Sequence, residues 1–550
     1  MKNKKLKLAL IYLAVTLIAL LVYYVTLPPI NAQSYGFWVF VTFLIAIYLA
    51  PITLNFTFNK DAFRGGKISI NEKTVKIHCK KIMFFALIPV AVILIGTIGS
   101  STLFNARKYA DVITVKEAVF QEDMPDVQGD VTHIALMDTA SATILGRRTL
   151  GELSDVVSQY EISETYTQIN YLRTPQKVAN LEYADFFKWI GNRNKGIPGY
   201  VMVDPVNNNA KYVKLDKPMK YVQSGFFGDD LMRKLRFSYP TKILGEPKFE
   251  ISDDNNPVYI VPCYKPRVFM FGAEDVNEVI IFDPCTGDSK LYALTETPAW
   301  VDIVYDGYLA SEKYNWKGML SGGYFNSIIG NRGCKQTTDD FGYVVLEDDV
   351  WYYTGVTSVT SDESNIAFIL SNARTGEYKY YPVIGAEEHS AMGAAEGEVQ
   401  EKGYDASFPV LINVSGEPTY IMVLKDANGL VKLFALVNVE NYSIVATGEN
   451  QQKAMTEYKK LLNENGVITD SSTPSDLKQT ITVEDIKTLV IDGNSVCYIK
   501  TTIEGKQVFF KIIVNNDNLA LATFLSVGDS ITVTYENTET DNLYKVISIE

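Results

Sequence analysis

The sequence predicts a membrane-anchored α+β protein. It should have three N-terminal transmembrane helices, repeated helix-plus-antiparallel-sheet units outside the membrane, and a small C-terminal β-barrel. Three observations lead there. Residues 82–104 (IMFFALIPVAVILIGTIGSSTLF) run without a charge, and as a helix they would be about 34 Å long, enough for a hydrocarbon core of roughly 30 Å. Charge is divided along the chain: residues 1–104 hold 11 Lys and Arg against 2 Asp and Glu, whereas residues 105–550 carry a balance of −22. From residue 197 onward the hydrophobic pattern has period two, and one hairpin pattern recurs. At 550 residues the chain is too long for a single core.

The first apolar run, 8–27, follows Lys2, Lys4, Lys5 and Lys7 and ends at Pro28-Pro29. A secretory signal peptide also begins basic, but its apolar region is normally roughly 7–15 residues. The second run is 37–56, after an uncharged loop. The segment 57–81 then carries Lys60, Arg64, Lys67, Lys73, Lys76, Lys80 and Lys81 against Asp61 and Glu72. Short Lys- and Arg-rich loops stay in the cytoplasm. The expected topology is an internal N-terminus, three spans over residues 8–104, and an extracytoplasmic remainder at the plasma membrane. Tyr23, Tyr24, Tyr35 and Trp38 fall near the first outer boundary, where amphipathic rings anchor. The spans lack charged residues, so they read as an anchor rather than a transport path.

Residues 105–215 read as a mostly helical start of the outer domain with a first hairpin. Residues 183–190 (YADFFKWI) form a short aromatic helix whose rings suit a core. Four stretches then share one pattern: 200–213 (YVMVDPVNNNAKYV), 279–292 (VIIFDPCTGDSKLY), 368–381 (FILSNARTGEYKYY) and 434–447 (FALVNVENYSIVAT). Each has a strand, an Asp or Asn, a turn, and a second strand. Such a side chain bonds the backbone ahead of it and starts the turn. Helix candidates at 228–237, 316–330 and 387–400 precede the last three hairpins, so 216–450 reads as three α+β units.

The stretches 280–287 (IIFDPCTG) and 369–376 (ILSNARTG) make these units resemble the PepSY domain, a helix followed by a meander with a "VxVDxxTGe" hairpin. The resemblance implies an extracytoplasmic bacterial setting and a role in restraining peptidases. Asn372 and Asn438 stand where the family has Asp, and Tyr442 stands where it has the turn Gly. Residues 451–480 read as a helix and linker. The strands expected at 487–491, 495–502, 507–514, 530–535 and 544–549, with an insert at 517–525, resemble an OB-fold barrel over 481–550. That stretch holds 5 basic and 10 acidic residues, which opposes nucleic-acid binding.

The sharpest catalytic candidate is Asp138 in 134–145 (IALMDTASATIL), which resembles the active-site turn of aspartic peptidases. That chemistry needs two carboxylates sharing a proton. No second such motif follows, so a homodimer would be required, and Ala140 replaces the usual Gly. The pairs Asp229-Asp230, Asp253-Asp254, Asp339-Asp340 and Asp348-Asp349 lack the alternating spacing of a calcium loop and read as solvated turns. No metal or cofactor is expected. Three histidines (His78, His133, His389) leave little room for a His base. Of the five cysteines, Cys79 falls in the basic loop and Cys334 and Cys497 lie apart, while Cys263 and Cys285 either bridge across a hairpin or stay as buried thiols. The expected function is a non-enzymatic binding or scaffold protein of the cell envelope, its partners being other envelope or membrane proteins and the bilayer. A membrane-bound peptidase or peptidase regulator, and a subunit of a membrane assembly contacting through Gly96, Gly99, Ser100 and Ser101, are the alternatives. A homo-oligomer is compatible with each.

Overall fold

The computed structural model describes residues 2–57, 72–127, 131, 133–338, 340–359, 361–467, 477–491, 494–503, 506–514, 523–535 and 543–549. Most of the basic loop, the middle of the 467–480 linker, residues 517–522 of the C-terminal insert and Asp339 lie outside these. The chain divides into two compact units, Met1–Met455 and Thr456–Glu550.

The first unit begins with helices α1 (Lys2–Thr26), α2 (Tyr35–Thr57), α3 (Glu72–Ser100) and α4 (Thr102–Ala110). Among the described residues one helix, near the N-terminus, is long and apolar enough to cross a membrane, residues 8–26 of α1 with a mean hydropathy of 2.5, or two if the bent pair Leu87–Ser100 and Thr102–Ala110 is one span. The expectation of three spans is corrected. The apolar part of α2, Tyr35–Pro51, is short, and the apolar end of α3, Leu87–Ser100, turns by 54° into α4. That turn follows from Ser101, whose extended backbone (φ −65°, ψ 150°) cannot continue α3.

After strand β1 (Val115–Glu117) and the short helix α5 (Phe120–Asp123), one topology occurs four times: a helix, then five strands. The first copy has α6 (Thr139–Gly151), a short α7 (Ser154–Val157), β2 (Tyr160–Ile162), β3 (Thr167–Tyr171), β4 (Thr174–Tyr183), an inserted α8 (Phe186–Asn192), β5 (Ile197–Asp204) and β6 (Asn209–Met219). The second has α9 (Leu231–Ser238), β7 (Ile243–Leu244), β8 (Lys248–Ile251), β9 (Pro257–Val268), β10 (Gly272–Phe282) and β11 (Ser289–Ala293). The third has α10 (Gly307–Leu320), β12 (Lys335–Thr337), β13 (Gly342–Leu346), β14 (Asp349–Ser358), β15 (Ser361–Asn372) and β16 (Tyr378–Tyr381), followed by β17 (Gly385–Ala386). The fourth has α11 (Glu388–Glu398), β18 (Asp405–Ala406), β19 (Val410–Val414), β20 (Glu417–Lys425), β21 (Val431–Asn438) and β22 (Val445–Gly448). In each copy the first two strands both pair with the third, the third pairs with the fourth, and the fourth with the fifth. Each copy therefore has its own antiparallel sheet; in the third, β17 also pairs with β15 and β1 joins β16 in parallel.

The turn chemistry matches across copies. Asp204 accepts from the N–H groups of Val206 and Asn207, Asp283 from Cys285 and Thr286, Asn372 from Arg374 and Thr375, and Asn438 from Asn441. Gly287 and Gly376, at φ +81° and +71°, take the left-handed position that such turns reserve for glycine. The expectation of a mostly helical start over 105–215 is corrected: residues 160–183 hold the first three strands of the first copy.

The second unit holds most of helix α12 (Gln451–Glu464) and strands β23 (Leu477–Thr482), β24 (Asp485–Ile491), β25 (Asn494–Ile503), β26 (Lys506–Ile513), β27 (Ser530–Tyr535) and β28 (Leu543–Ile549). Residues 477–480, read as linker, belong to β23, which pairs with β27. The order is β23-β27-β28-β26-β25-β24, antiparallel except for the parallel β26–β28 pair. No pairing joins β23 to β24 among the described residues, so the sheet is open and the expected closed barrel is corrected. Ile499, Phe510 and Val533 are fully buried in its core.

Candidate functional site

The second strands of the first, third and fourth copies converge on a cavity of about 590 Å³, within the roughly 300–1,000 Å³ of small-molecule sites. Its wall is mostly apolar. Copy one contributes Gln168 on β3 and Lys177 on β4, copy three the strand β13, and copy four β19. Residues 133–139, leading into α6, close another side. Tyr308, 78% exposed, stands at the surface end of this lining, whereas Lys177 is 5% exposed.

Register explains why Lys177 is unusual. It pairs with Val203, the residue before the turn-forming Asp204. The equivalent pairs are Phe282 with Tyr259, Ser371 with Tyr352, and Val437 with Tyr420. On the other side Lys177 faces Gln168, while the three tyrosines face Phe249, Tyr343 and Leu411. Three copies thus place a buried tyrosine against an apolar or aromatic partner, and the first places a lysine against a glutamine. The Lys177 ammonium sits 5.4 Å from the centre of the Tyr343 ring. Among the described residues it has no hydrogen bond or ion pair. Burial pushes it down to about 8, opposed by the charge of Asp138. The Gln168 carboxamide makes a long 3.5 Å bond to the Ile169 carbonyl.

Asp138 also lines this cavity. It is the N-cap of α6: its carboxylate accepts from the Ser141 N–H at 2.8 Å and is paired with Lys425. Burial alone would raise the carboxyl, but Lys425 and the two Ser141 donors outweigh it and hold it below its ordinary value. A carboxylate so engaged stays ionised. Its hydrogen-bond partners are donors, whereas a peptidase dyad would place a second carboxyl there.

Four of the paired acidic residues have structural partners. Asp229 lies near Arg193 and Lys220, and Asp230 caps α9. Asp348 accepts from the Asn170 amide, and Asp349 is gripped by Arg374 and Asn372. Glu250, fully buried, accepts from the N–H groups of Asp302 and Ile303 at 3.0 and 2.8 Å, and burial with the neighbouring Asp302 keeps it well above the carboxylate range. Cys263, Cys285, Cys334 and Cys497 are free thiols. The aromatic helix packs as expected in part: Trp189 is buried among Phe186, Phe226 and Phe227, whereas Phe187 is exposed. Gly96 and Gly99 admit the rings of Phe271 and Phe269 from the chain's own β9–β10 hairpin, and Ser100 Oγ accepts from the Met270 and Phe271 N–H groups. Sequence reasoning missed Lys177. The signal was its departure from the repeat, visible once the first copy is aligned with the others.

No known protein-family profile and no curated protein matches this chain.

Proposed function

We propose that this chain is a non-enzymatic binding protein of the cell envelope, tethered to the plasma membrane by its N-terminal helices, whose extracytoplasmic body takes an apolar ligand between its repeats. The cavity carries this reading. A space of about 590 Å³ walled by apolar side chains from three copies is the usual form of a small-molecule site. The PepSY-like hairpins support an extracytoplasmic body, and Lys2, Lys4, Lys5 and Lys7 ahead of the first apolar run support an internal N-terminus. Contacts between that body and the helices support a tether. Arg233 Nε donates to the Tyr24 carbonyl and Arg236 Nε to that of Leu27, and the rings of Phe269 and Phe271 lie over Gly99 and Gly96.

Uptake of 1-octanol by the full chain in lipid nanodiscs, measured calorimetrically against empty nanodiscs, tests the cavity. Leu136→Trp places an indole in the lining and should abolish the uptake. Equal uptake by that variant and the unsubstituted chain would remove the reading. Protease added to intact cells should cut the chain beyond residue 104; protection of that region would remove the proposed location.

A further inference from the structure

We infer that the cavity takes an apolar molecule ending in a carboxylate, with that carboxylate seated between the Lys177 ammonium and the Gln168 carboxamide. The inference rests on the binding reading above and names its ligand class. Lys177 and Gln168 face each other on adjacent strands, so their donors project side by side into the cavity. The repeat fills the equivalent pair elsewhere with Tyr259–Phe249, Tyr352–Tyr343 and Tyr420–Leu411, which pack a core without a charge. A cation placed there instead, without a hydrogen bond or ion pair among the described residues, leaves one positive charge facing an apolar space.

Neither carboxylate of the lining forms an ion pair with it, although the charge of Asp138 favours its ionised form. Asp138 is held by Lys425 and Ser141, and one oxygen of Asp340 is taken by the Phe341 N–H at 2.8 Å. One ammonium and one amide N–H supply donors for the two oxygens of a single carboxylate and balance one negative charge. A dianionic head would need more cations than the lining holds.

The experiment compares octanoate with 1-octanol, the same chain with and without the charge, on the full protein in lipid nanodiscs at pH 7 with empty nanodiscs as blank. The unsubstituted chain should prefer octanoate by roughly ten- to a hundredfold, as a hydrogen-bonded charge pair in an enclosed site provides. Lys177→Met should remove that preference while leaving 1-octanol within about twofold, and Lys177→Arg should keep it. No preference in the unsubstituted chain, or equal losses of both probes in Lys177→Met, overturns the inference and leaves the cavity reading standing. Failure to bind either probe overturns both. The preference of the unsubstituted chain decides the matter even where Lys177→Met does not fold. N-acetyl-leucyl-leucine carries the same head on a peptide body, and its affinity against octanoate identifies whether the carboxylate comes from an acyl chain or a peptide end.

Discussion

Lys177 is ionised at neutral pH in a place that penalises ionisation. Its folded-state pKa, pushed down by burial to about 8, lies below the ordinary 10.5. Between those two values the unfolded chain binds more protons than the folded one, so stability rises with pH across that window. Below pH 8 the full penalty applies, about 3 kcal/mol by linkage. Lys177→Met removes it. The variant should unfold at a higher denaturant concentration than the unsubstituted chain at pH 7, with the gap narrowing as pH climbs from 8 towards 10.5. A gap of the same size at pH 7 and pH 10 would mean that the ammonium is not the source of the difference. A tyrosine in the other three copies avoids this penalty. A residue kept at a loss to stability, where its own repeat offers a cheaper solution, is the pattern of a functional position.

At the scale of elements, the join between α1 and the second copy is built from unsatisfied carbonyls. A helix leaves its last four C=O groups without intrahelical partners. Here the Arg233 guanidinium lies over the Tyr24 ring, 4.3 Å from its centre, and donates to the Tyr24 carbonyl. Arg236, 5% exposed, donates to the carbonyls of Leu27, Tyr239 and Lys242, fixing both the exit of α1 and the turn after α9. The Ile30 N–H reaches the Pro240 carbonyl at 2.7 Å and the Asn31 amide the Thr241 carbonyl at 3.0 Å. Arg236→Met keeps much of the side-chain volume and takes the guanidinium donor from three carbonyls, of which Tyr239 keeps the Lys242 N–H. It should destabilise the first unit by about 2–3 kcal/mol, since buried polar groups left unpaired cost that much. A lower melting temperature and faster tryptic cleavage at Lys242 would register the change. An unchanged melt would show that the clamp adds nothing to the packing of Tyr23 and Tyr24 against Phe237.

Across the whole molecule, legibility followed locality. The four hairpins were readable because an Asp or Asn, a turn and two flanking strands lie within 14 residues. Helix α9 was readable from the acids at its start and the cations at its end, α11 from its small residues and α12 as a charged stretch. The first half of copy one was not, because Gln168, Lys177 and Asn180 occupy buried strand positions and break the alternation on which a strand reading depends. Two of these residues, Gln168 and Lys177, line the cavity. The cavity itself had no local signature, since its walls come from strands far apart in the chain. Strand order in the C-terminal sheet was equally non-local: five of its strands were placed nearly to the residue, yet closure depends on which ends meet. The division at Met455 makes one more consequence testable. Copies one and two share one core, copies three and four share another, and the cavity lining ends at Asn413. A chain ended after residue 467 keeps helix α12 and lacks the C-terminal sheet. It should bind 1-octanol as the full chain does and retain the main thermal transition, while losing a separate transition that belongs to the sheet packed around Phe510. A truncated chain that no longer folds would show that the two units depend on each other for stability.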